Sequence, residues 1–152
     1  MRIWKKFKRL WKHYIFQSLL AAFAIFVVVL AIGQGKVVVI ASMAGTAFIC
    51  FAMPSSISAQ TRNVIGGHLV GLVCGALFAF ISLPYYAEFP LAVGLAIFLM
   101  VALDVEHAPA AGTALAVTIN EVTLTTAAII VISAIVLTQC RYYMKNLLKD
   151  LI

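Results

Sequence analysis

The sequence predicts an all-α protein, a polytopic bundle of transmembrane helices in a lipid bilayer. Of its 152 residues, 64% are hydrophobic and 11% are charged, whereas soluble domains are typically about half apolar and about a quarter charged. The mean hydropathy of +1.10 points the same way. Because so few polar residues could not cover so much apolar surface in water, the chain is predicted to be an integral membrane protein.

The basic residues are concentrated at the two ends of the chain, whose net charge is +6. Only Lys36 and Arg62 lie between the apolar segments. The other basic residues are Arg2, Lys5, Lys6, Lys8, Arg9, Lys12, Arg141, Lys145 and Lys149. Basic flanks beside apolar spans are typical of cytoplasmic ends held by anionic lipid. Both termini are therefore predicted to be cytoplasmic, at a bacterial inner or plasma membrane, and nucleic acid is not expected as a partner.

Residues 1–14 are predicted to form an amphipathic segment at the lipid headgroups. Phe7, Leu10, Trp11 and Tyr14 share one helical stripe, and the lysines lie on the other side. A helix of this kind lies in the membrane interface. The apolar run that follows, Ile15 to Ile32, is longer than the roughly 7–15 residues of a signal-peptide core, so a cleaved signal peptide is disfavoured. This run is the predicted first span.

Five further apolar segments complete a single transmembrane domain over residues 15–140, ahead of a basic tail over residues 141–152. They are Val37 to Met53, Val64 to Leu83, Leu91 to Leu103 (extendable back to Glu88), Ala108 to Ile119 and Val122 to Cys140. GQGK, PSSISAQTRN and PYYAEFP are predicted to be loops. A spanning helix needs about 20 residues, so the fourth and fifth segments are predicted to be a short, discontinuous pair that meets below the membrane surface at DVEHAP. A re-entrant loop from DVEHAP to Glu121, which gives five crossings, is the alternative.

A short motif recurs in the two halves of this domain, residues 15–83 and 88–140. ASMAGTAFICFAM (Ala41 to Met53) aligns without gaps to APAAGTALAVTIN (Ala108 to Asn120), and both contain AGTA. The offset of 67 residues carries the first three apolar segments roughly onto the last three. Two halves of three crossings each enter the membrane from opposite sides, which is the inverted repeat found in many transporters.

The AGT motifs are predicted to begin helices near the middle of the membrane. Each follows a stretch poorly suited to a helix, the β-branched run VVVI in one half and Ala108-Pro109 in the other. Free backbone N–H groups at a helix N-terminus attract anions. The motifs are therefore expected to face a shared polar cavity from opposite sides of the membrane. The residues placed at this anion site are Gly45, Thr46, Pro109, Gly112 and Thr113.

Two blocks of the sequence resemble the HPP family of small integral membrane proteins, which is named for a His-Pro-Pro motif. One block is HAPAAGTAL, from His107 to Leu115, where the family usually has HPPAGATAL and Ala108 replaces a proline. The other block ends in AQTRNVIGGH at His68, close to the family pattern Q-P-R-N-x-x-G-G-H with Thr61 in place of proline. The resemblance covers roughly Leu19 to Leu137. It implies about four spans and a transporter, since some plant and cyanobacterial relatives are associated with nitrite transport.

Several polar side chains are candidates for the transport pathway. His107, whose ordinary pKa of ~6.5 lies near working pH, would supply a proton or a hydrogen bond to an anion, or would instead satisfy backbone groups at the helix break. Asp104 and Glu106 would carry a coupling proton, or would sit in water at the cytoplasmic rim. Arg62, with Asn63 beside it, would draw anions to the inner vestibule, or would anchor its loop by charge alone.

His68 lies about one helical turn beyond Asn63 and is expected to line the cavity. Gly67, Gly71 and Gly75 follow a G-x-x-x-G-x-x-x-G spacing on the same segment, a pattern typical of close helix packing, and a homo-oligomer is an open alternative. Neither a metal nor a cofactor is expected, because no recognised ligand spacing joins the acids and histidines. The three cysteines are scattered through apolar runs, at positions 50, 74 and 140.

The sequence therefore favours a transporter or channel for a small solute, foremost a small inorganic anion such as nitrite. A non-transporting membrane scaffold or subunit that packs with a partner is the alternative. An enzyme is not expected, because the chain has no nucleophile elbow, no paired metal motif and no soluble domain to hold a cofactor.

Overall fold

The protein is a bundle of α-helices in a computed structural model that describes residues 2–81, 83–120 and 123–152. The helices are α1 (Arg2–Ile32), α2 (Val37–Ala52), α3 (Thr61–Ala79), α4 (Tyr85–Ala102), α5 (Ala108–Asn120) and α6 (Leu124–Tyr143), with a 3₁₀ turn at Ile57–Ala59. These residue ranges contain no strand. By length and composition, α1, α3, α4 and α6 can cross a membrane, so the predicted all-α membrane bundle is confirmed. The predicted break at Glu121 and the predicted start of the last span at Val122 lie outside the described residues.

The predicted amphipathic segment and the predicted first span form one continuous helix, α1. Its 31 residues rise about 46 Å at ~1.5 Å per residue, against a hydrocarbon core of about 30 Å. Lys8 and Lys12 lie over the rings of Trp4 and Trp11, with Nζ 5.3 and 5.8 Å from the ring centroids. α1 is therefore long enough for its basic first turns to extend beyond a hydrocarbon core into the membrane interface. Lysine and tryptophan side chains are well accommodated in that interface.

The first AGT motif lies inside a helix, and the prediction that it begins one is wrong. α2 begins at Val37 and runs through the β-branched VVVI stretch, because membrane burial of these side chains outweighs their modest helix propensity. Ala44 is therefore the eighth residue of α2. Only the first four N–H groups of a helix lack an intrahelical partner, so Ala44, Gly45 and Thr46 present no free N–H groups to an anion.

The predicted loop PYYAEFP is mostly helical, and the fourth segment is longer than predicted. α4 begins at Tyr85 directly after Pro84 and is 18 residues long, with Pro90 inside it. Proline in a membrane helix is tolerated where neighbouring groups satisfy the freed carbonyl. The fifth segment is short as predicted, since α5 has 13 residues from Ala108 to Asn120.

The two halves of the bundle pack as an inverted repeat of three helices each. In the two halves, α1 corresponds to α4, α2 to α5 and α3 to α6. The contact of α1 with α2 matches that of α4 with α5, and the contact of α3 with α5 matches that of α6 with α2. Likewise α3 packs on α4 as α6 packs on α1, while α2 packs on α5 and α3 on α6. Exchanging the halves converts this set of contacts into itself, as a pseudo-two-fold axis requires.

The crossing of α2 and α5 shows the same symmetry at the level of single residues. A Cβ atom built on Gly45 lies 3.1 Å from Cγ of Pro109, and one built on Gly112 lies 3.5 Å from Cβ of Ser42. Ser42 and Pro109 each precede the glycine of their own motif by three residues, so the two contacts are equivalent under the 67-residue offset. The helices therefore run antiparallel, and the two AGT motifs lie side by side as the repeat predicts.

Both chain ends lie at the same end of the bundle. Tyr14 Oη donates a hydrogen bond to Leu151 O at 2.9 Å, and His13 Nδ1 lies 3.1 Å from Leu147 O. Leu151 N donates to Ala52 O at 2.9 Å. The carboxyl-terminal tail therefore folds back onto α1 and the end of α2. That this end faces the cytoplasm remains a prediction from its basic residues.

Candidate functional site

A glycine stripe lets α3 lie directly against α5. A Cβ atom on Gly71 would collide with the carbonyl oxygen of Ala110, and one on Gly75 would come within 2.5 Å of the carbonyl oxygen of Ala114. Larger side chains at these positions would push the two helices apart. The close approach carries His68, on the same helix, against α5.

The turn between α4 and α5 delivers His107 to the interior of the bundle. Asp104 has a left-handed φ of 55°, a conformation that Asp and Asn adopt more readily than other side chains. Arg62 donates to the backbone carbonyl and to the carboxylate of Asp104, and the Asn63 amide donates to Glu106 O at 3.4 Å. The start of α3 thus holds the turn in a shape that buries His107 completely.

Five polar side chains form a buried group between α2, α3 and α5, which we call the histidine–hydroxyl cluster. Its members are Ser42, Thr46, His68, His107 and Thr113, of which only Ser42 has any exposed surface, at 5%. The two imidazole rings lie edge to face with centroids 5.1 Å apart. Thr46 Oγ1 lies 2.9 Å from His68 Nε2 and 3.0 Å from His107 Nε2. The surrounding core is apolar. The cluster is therefore a buried polar group enclosed by apolar side chains.

Hydrogen bonds extend from His68 to the backbone of α5. His68 Nδ1 lies 2.8 Å from Thr113 Oγ1, which lies 2.9 Å from Ser42 Oγ. Ser42 Oγ donates to Pro109 O at 2.6 Å. Because Thr46 and Thr113 are equivalent positions of the repeat, His68 bonds one copy of the same threonine with each of its ring nitrogens.

Two residues of the site, Ser42 and Ser58, were not among the predicted ones. Ser42 lies one helical turn before Thr46 and is the repeat equivalent of Pro109, a signal that the alignment of the motifs contains. Ser58 acts through its backbone carbonyl, which accepts a hydrogen bond from His107 Nδ1 at 2.8 Å. A backbone acceptor in a loop leaves no pattern in the side chains, so only the tertiary structure reveals it.

The predicted site residues on α2, α5 and the middle of α3 come together at the cluster. The AGT motifs pack against each other rather than across an open cavity, because glycine in each motif allows direct contact with the other helix. The residues brought together here are Gly45, Thr46, His68, His107, Pro109, Gly112 and Thr113.

The other predicted residues form a rim at the end of the bundle where the chain termini lie. The side chains of Arg62 and Asp104 are 61% and 72% exposed and form an ion pair with each other. Glu106 is half-buried. Asn63 is fully buried, and its Oδ1 atom has no hydrogen-bond partner among the described residues. The rim therefore contains one cation, Arg62, and two carboxylates, Asp104 and Glu106. The unpaired Asn63 Oδ1 atom is buried next to them.

An open groove lies elsewhere, between α1 and α6. This groove of 320 Å³ is lined by apolar side chains, among them Phe23, Val27, Ile132 and Val136. Such a lining suits lipid acyl chains and offers an anion almost no hydrogen-bond donors. The groove is therefore disfavoured as an anion site, and the cluster with its rim remains the candidate site.

The chain is an integral membrane bundle of helices whose packing is alike in its two halves, with a buried hydrogen-bonding site where α2, α3 and α5 meet. The sequence profile of the family described as "HPP, transmembrane region" matches residues 7–150. The chain belongs to this family, which confirms the resemblance of its two motif blocks. No curated protein and no solved structure matches the chain. Both motif blocks contribute to the cluster, one through His68 and the other through His107 and Thr113.

Proposed function

We propose that this HPP family member carries a small monovalent inorganic anion such as nitrite across the membrane, with the histidine–hydroxyl cluster as its recognition site. The observation that carries the proposal is the complete burial of two histidines and two threonines at the centre of an apolar bundle. Ionisable groups at membrane depth are costly and commonly mark ion pathways.

The chemistry of the cluster suits an anion. Hydroxyl groups and imidazole N–H groups are hydrogen-bond donors, and they converge here from Thr46, Thr113, His68 and His107. The site lies at the interface of two inverted halves, which is where secondary transporters bind their substrates. Arg62 at the rim provides a cation that would raise the local concentration of anions.

Transport through this site requires the helices to move, since the cluster is sealed. The contacts of Gly45 with Pro109 and of Gly112 with Ser42 involve no large side chain, so α2 and α5 can separate at their crossing without removing a bulky plug. An anion entering from the rim would replace the threonine hydroxyls as the partner of the imidazoles.

Uptake of nitrite into liposomes that contain the purified chain tests the proposal, with protein-free liposomes as the background because nitrous acid crosses lipid unaided. We expect saturable uptake above this background. His107→Ala should lower the initial rate by about five-fold to 150-fold, because loss of a buried hydrogen-bond partner costs about 1–3 kcal/mol. Thr138→Val is the matched control, because the buried Thr138 hydroxyl bonds only carbonyls of its own helix.

The opposite outcome favours the scaffold or subunit. No uptake of nitrite, nitrate, formate or chloride by chains of verified insertion would refute transport of a small anion. Normal uptake by His107→Ala would keep transport but remove the cluster from the pathway.

A further inference from the structure

The histidine–hydroxyl cluster forms a continuous path of hydrogen-bonding atoms, with side contacts from Ser58 Oγ to His107 Nδ1 at 3.4 Å and from Thr46 Oγ1 to Ser42 O at 3.1 Å. The path runs from Ser58 O through His107, Thr46, His68, Thr113 and Ser42 to Pro109 O, with contacts of 2.6 to 3.0 Å. Both end points are carbonyl oxygens, which accept hydrogen bonds and cannot donate them.

The two end contacts fix where two hydrogens lie. His107 Nδ1 must carry a hydrogen, because it faces Ser58 O at 2.8 Å. The hydroxyl hydrogen of Ser42 must point to Pro109 O, which lies 2.6 Å away. A contact without a hydrogen would set two lone pairs against each other at these distances.

The interior of the path is one hydrogen short when both histidines are neutral. Each neutral imidazole and each of the three hydroxyl groups supplies one hydrogen, which makes five hydrogens for six contacts. One contact among the four inner ones is then left with facing lone pairs, a costly arrangement in a buried site. The Thr46 hydroxyl adds a further demand, since Ser42 O also lies within 3.1 Å of it.

We infer that the cluster is a proton-binding site in which His68 and His107 share one additional proton through the hydroxyl of Thr46. With that proton every contact of the path holds one hydrogen bond. Two arrangements satisfy the whole path equally. In one the imidazolium is His107 and Thr46 donates to His68, and in the other the imidazolium is His68 and Thr46 donates to His107.

Transfer between the two arrangements is a balanced relay. His107 Nε2 gives its proton to Thr46 Oγ1 while the Thr46 O–H gives its own proton to His68 Nε2, and the hydroxyl is unchanged at the end. The donor–acceptor distances of 3.0 and 2.9 Å are hydrogen-bond distances, so the relay needs no side chain to change position.

The charge of the extra proton has no bonded counterion among the residues that the structure describes. α2 and α5 contain no Asp, Glu, Lys or Arg, and Cys50 on α2 and Cys74 on α3 are buried thiols. The charged residues of α1, α3, α4, α6 and the α4–α5 turn are Arg2, Lys5, Lys6, Lys8, Arg9, Lys12, Arg62, Glu88, Asp104, Glu106 and Arg141. Arg62 and Asp104 pair with each other at the surface, and Arg141 donates to Pro54 O. An isolated buried cation is expensive, so the proton would enter together with an anion.

Nitrogen-15 NMR of histidine-labelled full-length protein in lipid bilayers tests the inference, because the chain has only three histidines. His13→Asn identifies the signals of the third histidine. Between about pH 8 and about pH 4 we expect His68 and His107 to change together with one midpoint, each by about half of a full imidazolium change, because one proton serves both rings. In Thr46→Val the two rings should titrate separately.

Thr46→Ser, which keeps the hydroxyl, should restore the common midpoint, and Thr138→Val should leave it unaltered. Separate midpoints in the unmodified protein would overturn the inference. So would a common midpoint that survives Thr46→Val, or two rings that stay neutral throughout the range.

The pairing of this proton with an anion rests on the proposed function. Added nitrite should move the common midpoint to higher pH, because an anion stabilises the protonated pair. If nitrite leaves the common midpoint unchanged, the proton site is retained and the anion site is refuted. The two proposals can therefore fail separately.

Discussion

Thr46 and Thr113 are equivalent residues of the two repeats, and both bond the imidazole ring of His68. Their Oγ1 atoms lie 2.9 Å from Nε2 and 2.8 Å from Nδ1 of that ring. His68 itself has no counterpart of its kind, because the residue 67 positions later is Ile135. A single asymmetric side chain therefore sits between two symmetric ones, and the site gains a direction that the duplicated backbone alone would lack.

A disulfide across the α2–α5 crossing should form and report the inverted repeat. The Cβ separation of 3.5 Å at Ser42 and Gly112 lies within the range of about 3.5–4.5 Å that a disulfide needs. In a chain whose native cysteines are replaced, Ser42→Cys with Gly112→Cys should cross-link nearly completely on mild oxidation. Ser42→Cys with Gly94→Cys is the control, and equal cross-linking of the two pairs would contradict the packing.

Gly71 and Gly75 on α3 should not tolerate an added methyl group, whereas Gly94 on α4 and Gly112 on α5 should. Gly71→Ala and Gly75→Ala place Cβ against backbone carbonyls of α5, and overpacking of this kind costs about 1–3 kcal/mol. Gly94→Ala meets nothing within 4 Å and Gly112→Ala makes only ordinary contacts. Thermal unfolding in detergent should rank the variants in this order. An unchanged Tm for Gly71→Ala would show that the helices are farther apart.

Cysteines near the two ends of the chain should be labelled from one side of the membrane. Cysteines at Lys36, before α2, and at Glu88, near the start of α4, should be labelled from the other side. Contacts of the tail with His13 and Tyr14 place both ends together. With an impermeant maleimide, cysteines at Lys5 and Lys145 should react from the cytoplasmic side, and cysteines at Lys36 and Glu88 from the opposite side. Labelling of Glu88→Cys and Lys5→Cys from the same side would require an even number of crossings between them, whereas the six-helix topology requires three, and would exclude that topology.

The contribution of Asp104 to stability should depend on its backbone conformation more than on its ion pair with Arg62. At a φ of 55°, Asp104→Gly and Asp104→Asn are expected to leave Tm nearly unchanged, whereas Asp104→Val should cost about 1–3 kcal/mol through strain. The pair with Arg62 is exposed and contributes little on its own. A loss of stability in Asp104→Asn equal to that in Asp104→Val would assign the effect to charge instead.

Gln17 should hold the carboxyl-terminal tail in place. This side chain is buried, donates to Phe51 O and Lys149 O, and accepts from Lys149 N. Gln17→Leu leaves these backbone groups without partners, at about 1–3 kcal/mol for each buried one. Trypsin should then cleave at Lys149 several times faster than in the unmodified protein. Gln34→Leu, in an exposed turn, is the control and should leave cleavage unchanged.

Several features of the fold could be predicted from the sequence because they depend on local composition and spacing. The membrane class follows from hydropathy, and the short α5 follows from Ala108-Pro109 and the break after Ile119. The AGT repeat predicted that α2 and α5 meet, as the Gly45–Pro109 contact confirms. The start of α2 at Val37 was predicted, but the placement of the first AGT motif inside that helix and the extent of α4 were not, because VVVI and Pro90 have weak helix preferences that membrane burial overrides.

Hydropathy and the two motif blocks were sufficient to predict a helical membrane protein of the HPP family, because both are properties of the chain alone. Which polar groups meet depends on the packing of the helices. This packing placed His68 between Thr46 and Thr113, recruited Ser42 and the carbonyl of Ser58, and left Arg62 at the rim. The reason is geometric, since hydrogen bonds form between atoms about 3 Å apart, and the glycine contacts between α2, α3 and α5 set those distances.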